Sequence, residues 1–285
     1  MADILISILQ QGLIFGIMAL GIYISYKILD FPDLSVDGSF PLGTAISARM
    51  ITMGINPWLA LLVAFAAGAA AGCVTGLLNV KLKIKDLLSG ILVMLSLYTA
   101  NYIIAGGPNT FFMGEKTIFS SGVPSIIIII MITVAVKVLL DMYLATKSGF
   151  LLKATGNNQK LVVVLAKDPG TVKILGLAIA NALVSFSGAV YAQSTMQFDI
   201  SSGTGTMVMG LAAVIIGTTI FRKMAFVKAT TAVIVGMIIY KGCITVALFL
   251  GLPSHFLNLM MAVLFVIPMV LNNFVTGKGT ENVRS

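Results

Sequence analysis

Charge is scarce in this sequence. Asp, Glu, Lys and Arg make up only 10% of the 285 residues, against about a quarter in a soluble domain. Too few charges are present to coat a water-facing surface. Histidine occurs once, at His255, so neither an HExxH helix nor a histidine metal cluster can be built. A lone histidine beside Pro253, at an expected helix start, reads as an interface residue. The two cysteines, Cys73 and Cys243, sit inside apolar runs and suggest no disulfide framework or metal site. No Gly-x-Ser-x-Gly elbow stands in a strand-turn-helix context. No GxxxxGK[ST] loop is present, so the chain by itself has no P-loop with which to hydrolyse ATP. No Lys or Arg precedes Lys27 and no small-residue cleavage site follows. The first apolar run therefore reads as a retained helix and not a signal peptide.

Apolar sequence is what the chain has in plenty. Hydrophobic residues reach 58% and the mean hydropathy is +1.05. In lipid every backbone polar group needs an internal partner, which leaves helices or closed barrels. The runs are long and do not alternate with period two, so the expected fold is all-α, a polytopic membrane helix bundle. A span needs about 20 apolar residues. Runs at 4–28, 57–80, 87–105, 123–145, 172–192, 229–249 and 255–272 meet that length. Two shorter glycine-bearing runs, 38–50 and 206–220, read as short or broken helices. The expectation is about 8–10 membrane elements in one transmembrane domain over 1–285.

The net charge of +8 is distributed unevenly. Lys81, Lys83 and Lys85 fall in one linker. Lys147, Lys153, Lys160, Lys167 and Lys173 crowd 146–173. Arg222, Lys223 and Lys228 follow the second short run. The linkers 51–56, 194–205 and 250–254 carry neither Lys nor Arg. Basic linkers stay cytoplasmic. That rule places 81–86, 146–171, 221–228 and the C-terminus inside, and the N-terminus outside. Gly68, Gly72 and Gly76, like Gly12 and Gly16, form ladders that let helices approach closely. Lys137 and Asp141, at i,i+4, are set to pair. Lys241 has no acid within a turn; it snorkels, pairs with another helix or faces a cavity.

Two polar stretches interrupt the apolar pattern. The first is Asp30 to Pro41. Pro32 and Pro41 are expected to stop a helix, and Asp37 or Ser39 to cap the next one. Either the stretch is a capped, solvated turn or it lines a translocation path, because polar groups at membrane depth are costly unless they face a cavity. Asp33-Leu34-Ser35, with Gly38 and Gly43, has an echo in Asp199-Ile200-Ser201, with Gly203 and Gly210. The echo suggests an inverted internal repeat with a site between broken helices. The candidate pathway residues are Asp33, Ser35, Asp37, Ser39, Asp199 and Ser201. The second stretch is 146–171. Thr155-Gly156-Asn157-Asn158 reads as a turn and helix start. Gln159 to Ala166 reads as a short amphipathic helix, and Asp168-Pro169 caps the next span. The segment is either a solvated connector or a docking helix for a cytoplasmic partner.

Three segments carry a family resemblance: Tyr26 to Gly43 (YKILDFPDLSVDGSFPLG), Ser148 to Gln193 with its KATGNN and LGLAIANA strings, and Gly210 to Gly217 (GLAAVIIG). The chain resembles permease subunits of ABC importers, in the branched-chain amino acid permease superfamily. Within it, the chain is most similar to permeases of tryptophan/tyrosine-type importers. The resemblance implies a homodimer of permeases, a cytoplasmic ABC ATPase that binds ATP and Mg, and an external binding lipoprotein. It implies no cofactor in this chain, no enzyme activity of its own, and a bacterial cell membrane location. Its coupling helix maps onto about Asn157 to Leu165, which adds Thr155, Gly156, Asn157, Asn158, Gln159, Lys160, Leu161 and Leu165 as candidate ATPase contacts. Relatives often place Arg there, whereas this chain has Lys. The implied function is ATP-driven import of a small hydrophobic or aromatic amino acid. The alternative is an ion-coupled secondary transporter using Asp33, Asp37 or Asp199, and a further class is an intramembrane enzyme or scaffold.

Overall fold

Long apolar runs close their own backbone hydrogen bonds by coiling, and nine helices result among the described residues. The computed structural model describes residues 2–157, 168–222, 224, 226–249, 263 and 266. Helix α1 (Ala2–Ile22) continues as a π-helical turn over Tyr23–Ile28. There follow α2 (Val36–Thr52), α3 (Pro57–Val80), α4 (Asp86–Ala105), α5 (Ser125–Leu144) and α6 (Lys147–Asn157). The last three are α7 (Pro169–Thr195), α8 (Thr206–Ile220) and α9 (Ala229–Phe249). Seven segments are long and apolar enough to cross a membrane: Ile4–Ile28, α3, α4, α5, α7, Ile200–Ile220 and α9. The expected span at 255–272, His255 and the C-terminal tail lie outside the described residues.

Side-chain caps start two of the spans, and that of α7 is the one read from the sequence. Asn56 caps α3, its side chain accepting from the Trp58 amide at 2.9 Å with Pro57 at the first position. Asp168 caps α7, accepting from the Gly170 and Thr171 amides at 3.1 and 3.2 Å and from the Thr171 hydroxyl at 2.8 Å. That hydroxyl, with the two amides, holds the Asp168 carboxyl below the usual carboxylate range.

Helix α7 is the axis of the bundle and the most buried of the spans. At about 1.5 Å per residue its 27 residues extend about 40 Å. Helix α3 runs antiparallel against it, and the glycine ladder is the seam. A Cβ at Gly68 would meet the Asn181 carbonyl, one at Gly72 the Leu177 carbonyl, and one at Gly76 the Ile174 backbone. Helix α1 packs on another side, where the Ser187 hydroxyl donates 2.7 Å to the Ile14 carbonyl and Gly21 lies against Ala180. Gly12 and Gly16 of α1 receive Ile238 and Ile234 of α9.

Gly72→Val is expected to force α3 and α7 apart, at about 1–3 kcal/mol or more for an overpacked contact with rigid backbone. Gly107→Ala, where a Cβ meets nothing within 4 Å, is the matched control. The fraction of chain remaining monodisperse after heating in detergent should fall for Gly72→Val alone.

The two ends of the bundle differ. At one end Gln193 links α7 to its neighbours, donating 3.0 Å to the Pro57 carbonyl and accepting 3.0 Å from the Ile118 amide. Beside it β1 (Asn109–Phe111) pairs antiparallel with β2 (Gln197–Asp199), Asn109 opposite Asp199. The other end gathers Lys81, Lys83, Lys85, Lys173 and Lys228. There Lys173 bridges to Asp86 at 3.2 Å and Lys228 to Asp141 at 3.3 Å. The basic linkers therefore share one end, as a positive-inside distribution requires.

Three local expectations are corrected. Pro41 does not stop a helix, because α2 runs through it. Proline removes one backbone donor, and the Asp37 carbonyl it would have served is packed against Gly203 instead. The 38–50 element is accordingly longer than expected, at 17 residues. Thr155-Gly156-Asn157 is no turn either, since α6 continues to Asn157. The Thr155 hydroxyl donates back to the Leu151 carbonyl at 2.8 Å, and Gly156 admits the close approach of the Ile28 carbonyl. Asn158, Gln159, Lys160, Leu161, Leu165 and the amphipathic stretch to Ala166 lie outside the described residues.

Candidate functional site

Halfway along α7, Asn181 interrupts an apolar sequence. An amide there must find partners, since hydrocarbon offers none. Its Nδ2 donates to Asp33 Oδ2 at 2.8 Å and to the Leu177 carbonyl at 3.2 Å. Its Oδ1 accepts from the Ser39 hydroxyl at 2.7 Å and stands 3.1 Å from the Ser35 hydroxyl. Asp33 Oδ1 accepts from the Ser35 amide at 2.9 Å and from the Ser35 hydroxyl at 2.5 Å. All four residues are buried. A Cβ on Gly90 of α4 would stand 2.7 Å from the Leu34 nitrogen and 3.2 Å from Asp33 Oδ1, so the glycine lets α4 close over the turn. Asp33, Ser35 and Ser39 thus join the unwound approach to α2 onto the bundle axis.

Asp37 faces the other way. Asp37 or Ser39 was expected to cap α2, but Ser35 holds the cap position there and makes no side-chain cap bond. Asp37 caps α8 instead. Its Oδ1 accepts from the Thr206 hydroxyl and the Met207 amide, each at 2.8 Å, and its Oδ2 from the Gly205 amide at 3.2 Å. Gly205, the residue at the α8 cap position, has no side chain to do this. A carboxylate at a helix N-terminus meets both unfilled amides and the positive end of the dipole.

The start of α2 is level with Asn181, and α2 ends beside Ala192 and Phe198. Helix α8 starts at Asp37 and ends where Gly217 meets the Ala232 carbonyl. Two broken elements therefore begin at mid-depth and run to opposite ends. The echo seen in the sequence is repeated in the local geometry. Asp199 accepts from the Ser201 amide at 2.7 Å, as Asp33 does from Ser35 at 2.9 Å. The surroundings differ, since Asp199 and Ser201 are exposed.

Between α2, α4 and the 200–204 turn lies a cavity of about 330 Å³. Asp37, Pro41, Tyr98, Asn101 and Ser201 line it. Asn101 is fully buried. Its Nδ2 donates 3.0 Å to the Gly38 carbonyl, while its Oδ1 has no partner. Asn101 and Tyr98 were not singled out from the sequence. The signal available was again an amide inside an apolar run. Among the six candidate pathway residues, Asp37 and Ser201 line this cavity and Asp33, Ser35 and Ser39 lie in the network behind it. Asp199 adjoins the turn.

The intramembrane lysines are also placed. Lys137 pairs with Asp141 at 2.8 Å, as its spacing implied. Lys241 stands 3.6 Å over the Phe15 ring, a cation–π contact. Phe15 stacks on Phe40 at 5.4 Å and tilts against Tyr191 at 5.3 Å. No group of three metal-ligating side chains occurs among the described residues.

Residues 4–271 match a family model described as branched-chain amino acid transport system, permease component. The chain is 44% identical over 269 residues to a tyrosine transport system permease protein of Clostridioides difficile, covering 94% of this chain and 91% of that one. It is 28% identical over 243 residues to a fructose import permease protein of Bifidobacterium longum, covering 82% and 67%. It is 25% identical over 281 residues to a ribose import permease protein of Escherichia coli, covering 94% and 85%. No solved structure matches it.

Proposed function

We propose that this chain, which belongs to the family of permease components of branched-chain amino acid transport systems, carries a small hydrophobic or aromatic amino acid through the cleft between α2 and α4. The chain is the multi-pass permease subunit of an ABC importer, and ATP hydrolysis belongs to a partner subunit. A binding protein is implied with it. The observation that carries the cleft assignment is the unpartnered Asn101 Oδ1, buried beside the Asp37 carboxylate in a cavity at membrane depth. A buried acceptor without a donor costs about 1–3 kcal/mol. A substrate ammonium passing between Asn101 and Asp37 supplies that donor, and Tyr98, Met94, Leu95 and Pro41 offer its side chain an apolar wall. The likeness to a tyrosine transport permease supports an aromatic substrate.

In this reading two copies pair, and the ATPase, with ATP and Mg, sits at the lysine-rich end. That end is cytoplasmic and the N-terminus lies outside. Residues 155–165, with Thr155, Gly156, Asn157, Asn158, Gln159, Lys160, Leu161 and Leu165, form the coupling contact.

Proteoliposomes holding this chain with its ATPase and binding protein test the proposal. Labelled tyrosine or tryptophan should accumulate only with internal or external ATP at the ATPase face, and an uncoupler should leave uptake intact. Uptake that survives ATP depletion and collapses with the uncoupler would establish the ion-coupled alternative. Uptake of ribose in place of amino acids would sink the substrate assignment. Deleting 157–165 should abolish ATP-driven uptake while the chain still inserts. Asn101→Leu, similar in size, should weaken uptake affinity about tenfold or more, the worth of a hydrogen bond to a charged group.

A further inference from the structure

A second pocket, of about 340 Å³, opens at the lysine-rich end between α5, α6 and α9. We propose that it holds the headgroup phosphate of an anionic phospholipid. The charge count comes first. Asp141, on the pocket wall, accepts from Lys137 at 2.8 Å on its own helix. That pair is neutral. Lys228 lies 3.3 Å from the same carboxylate and Lys153 lines the opposite wall. Lys137, Lys153 and Lys228 thus share a single carboxylate, so the cluster keeps an excess of positive charge. Lys153 is held in place from behind, its Nζ donating 3.2 Å to the Leu144 carbonyl at the end of α5. Lys228 immediately precedes α9, and Ala229 and Thr230, the first residues of that helix, also line the pocket. The site therefore has an excess of positive charge, an anchored Lys153, and the positive end of a 21-residue helix.

The remaining wall decides what kind of anion fits. Tyr23, Leu144, Ala145 and Phe150 line it, and Phe150 is 64% exposed. On the adjoining face of α5, Leu139 and Met142 are also exposed. A free phosphate gains nothing from Leu144, Ala145, Phe150, Leu139 or Met142. A phospholipid places its phosphate against the lysines and its glycerol ester and first methylenes against Phe150, Leu144 and the outer face of α5. The position suits this, because the pocket sits where the spans α5 and α9 end. Basic pockets between spans at the basic face are where such headgroups are held.

The test is native mass spectrometry of the full chain released from nanodiscs of phosphatidylcholine with a minor fraction of phosphatidylglycerol. The wild-type chain should retain phosphatidylglycerol in preference to phosphatidylcholine. Lys153→Ala and Lys228→Ala should each weaken retention about fivefold, and together about 30-fold. Both side chains are exposed, so the variants should fold, and the Arg replacements should keep most of the retention. Inorganic phosphate in excess should not displace the lipid. Displacement by phosphate would overturn the lipid assignment in favour of a free-anion site. Equal retention of phosphatidylcholine, or an unchanged double Ala variant, would overturn the proposal. Transport enters none of these readouts.

Discussion

Asp33→Ala is expected to cost the fold about 3–5 kcal/mol and to abolish uptake with it, because it strands two buried donors at about 1–3 kcal/mol each and empties the space they face. The stranded groups are the Ser35 amide and the Asn181 Nδ2 hydrogen that does not serve the Leu177 carbonyl. Neither has water to turn to, since Asp33, Ser35 and Asn181 are buried and Gly90 closes α4 over the turn. Asp33→Asn should be milder. Its Oδ1 still accepts from Ser35, but its Nδ2 then faces the Nδ2 of Asn181, two donors without an acceptor. The exchange Asp33→Asn with Asn181→Asp sharpens the test. Nδ2 at position 33 then donates to the carboxylate at 181, whose second oxygen still accepts from Ser39. The Leu177 carbonyl is the one lost partner. Thermal unfolding of the purified chain in detergent should rank wild type above the exchange, the exchange above Asp33→Asn, and Asp33→Ala last. An alanine variant that melts and transports like wild type would show that the network does not hold α2 to α7.

That network explains which features could be read from the chain and which could not. Run length and lipid thickness define a span without reference to neighbours, so α1, α3, α4, α5, α7 and α9 were legible within a few residues. The Asp168 cap and the Lys137–Asp141 pair are equally local. The fold departs from the sequence reading where a residue serves an element far away. Asp37 looks like a cap for the helix it stands in, yet it caps α8 across 170 positions to Met207. Pro41 looks like a stop until Gly203 occupies the space beside the carbonyl it frees. Gly156 looks like a turn residue until Ile28 arrives against it. The site has the same division. Carboxylates and serines between apolar runs drew attention to 30–41, but the amides that complete their environment, Asn181 and Asn101, stand inside apolar runs. Its own helix cannot satisfy a lone amide at such a position in full: Asn181 reaches the Leu177 carbonyl there and finds its other partners on Asp33 and Ser39. Such an amide marks a tertiary contact whose other half the sequence does not name.

The second large effect belongs to Asp37, where two roles meet and can be separated. As the α8 cap it accepts three hydrogen bonds, and Asp37→Ala should cost about 2 kcal/mol or somewhat more on that account alone. As a wall of the cavity beside Asn101 it presents the negative charge that a substrate ammonium would meet. Asp37→Asn divides these. Its Oδ1 still accepts from the Met207 amide and the Thr206 hydroxyl, so most of the cap persists, while its Nδ2 opposes the Gly205 amide and the charge is gone. Thr206→Val is the complement, removing one cap bond and leaving the carboxylate. If Asp37 only fastens α8, the two variants lose similar amounts of stability and transport alike. If it also receives the ammonium, Asp37→Asn raises the half-saturating substrate concentration about tenfold or more at little further cost in stability, and Thr206→Val leaves that concentration unchanged. Uptake measured across substrate concentration, with each variant's melting curve beside it, reads the difference. The second pattern is the expected one, because a cap needs an acceptor and not a full charge, and the sequence spends a carboxylate here, where the bilayer makes charge expensive.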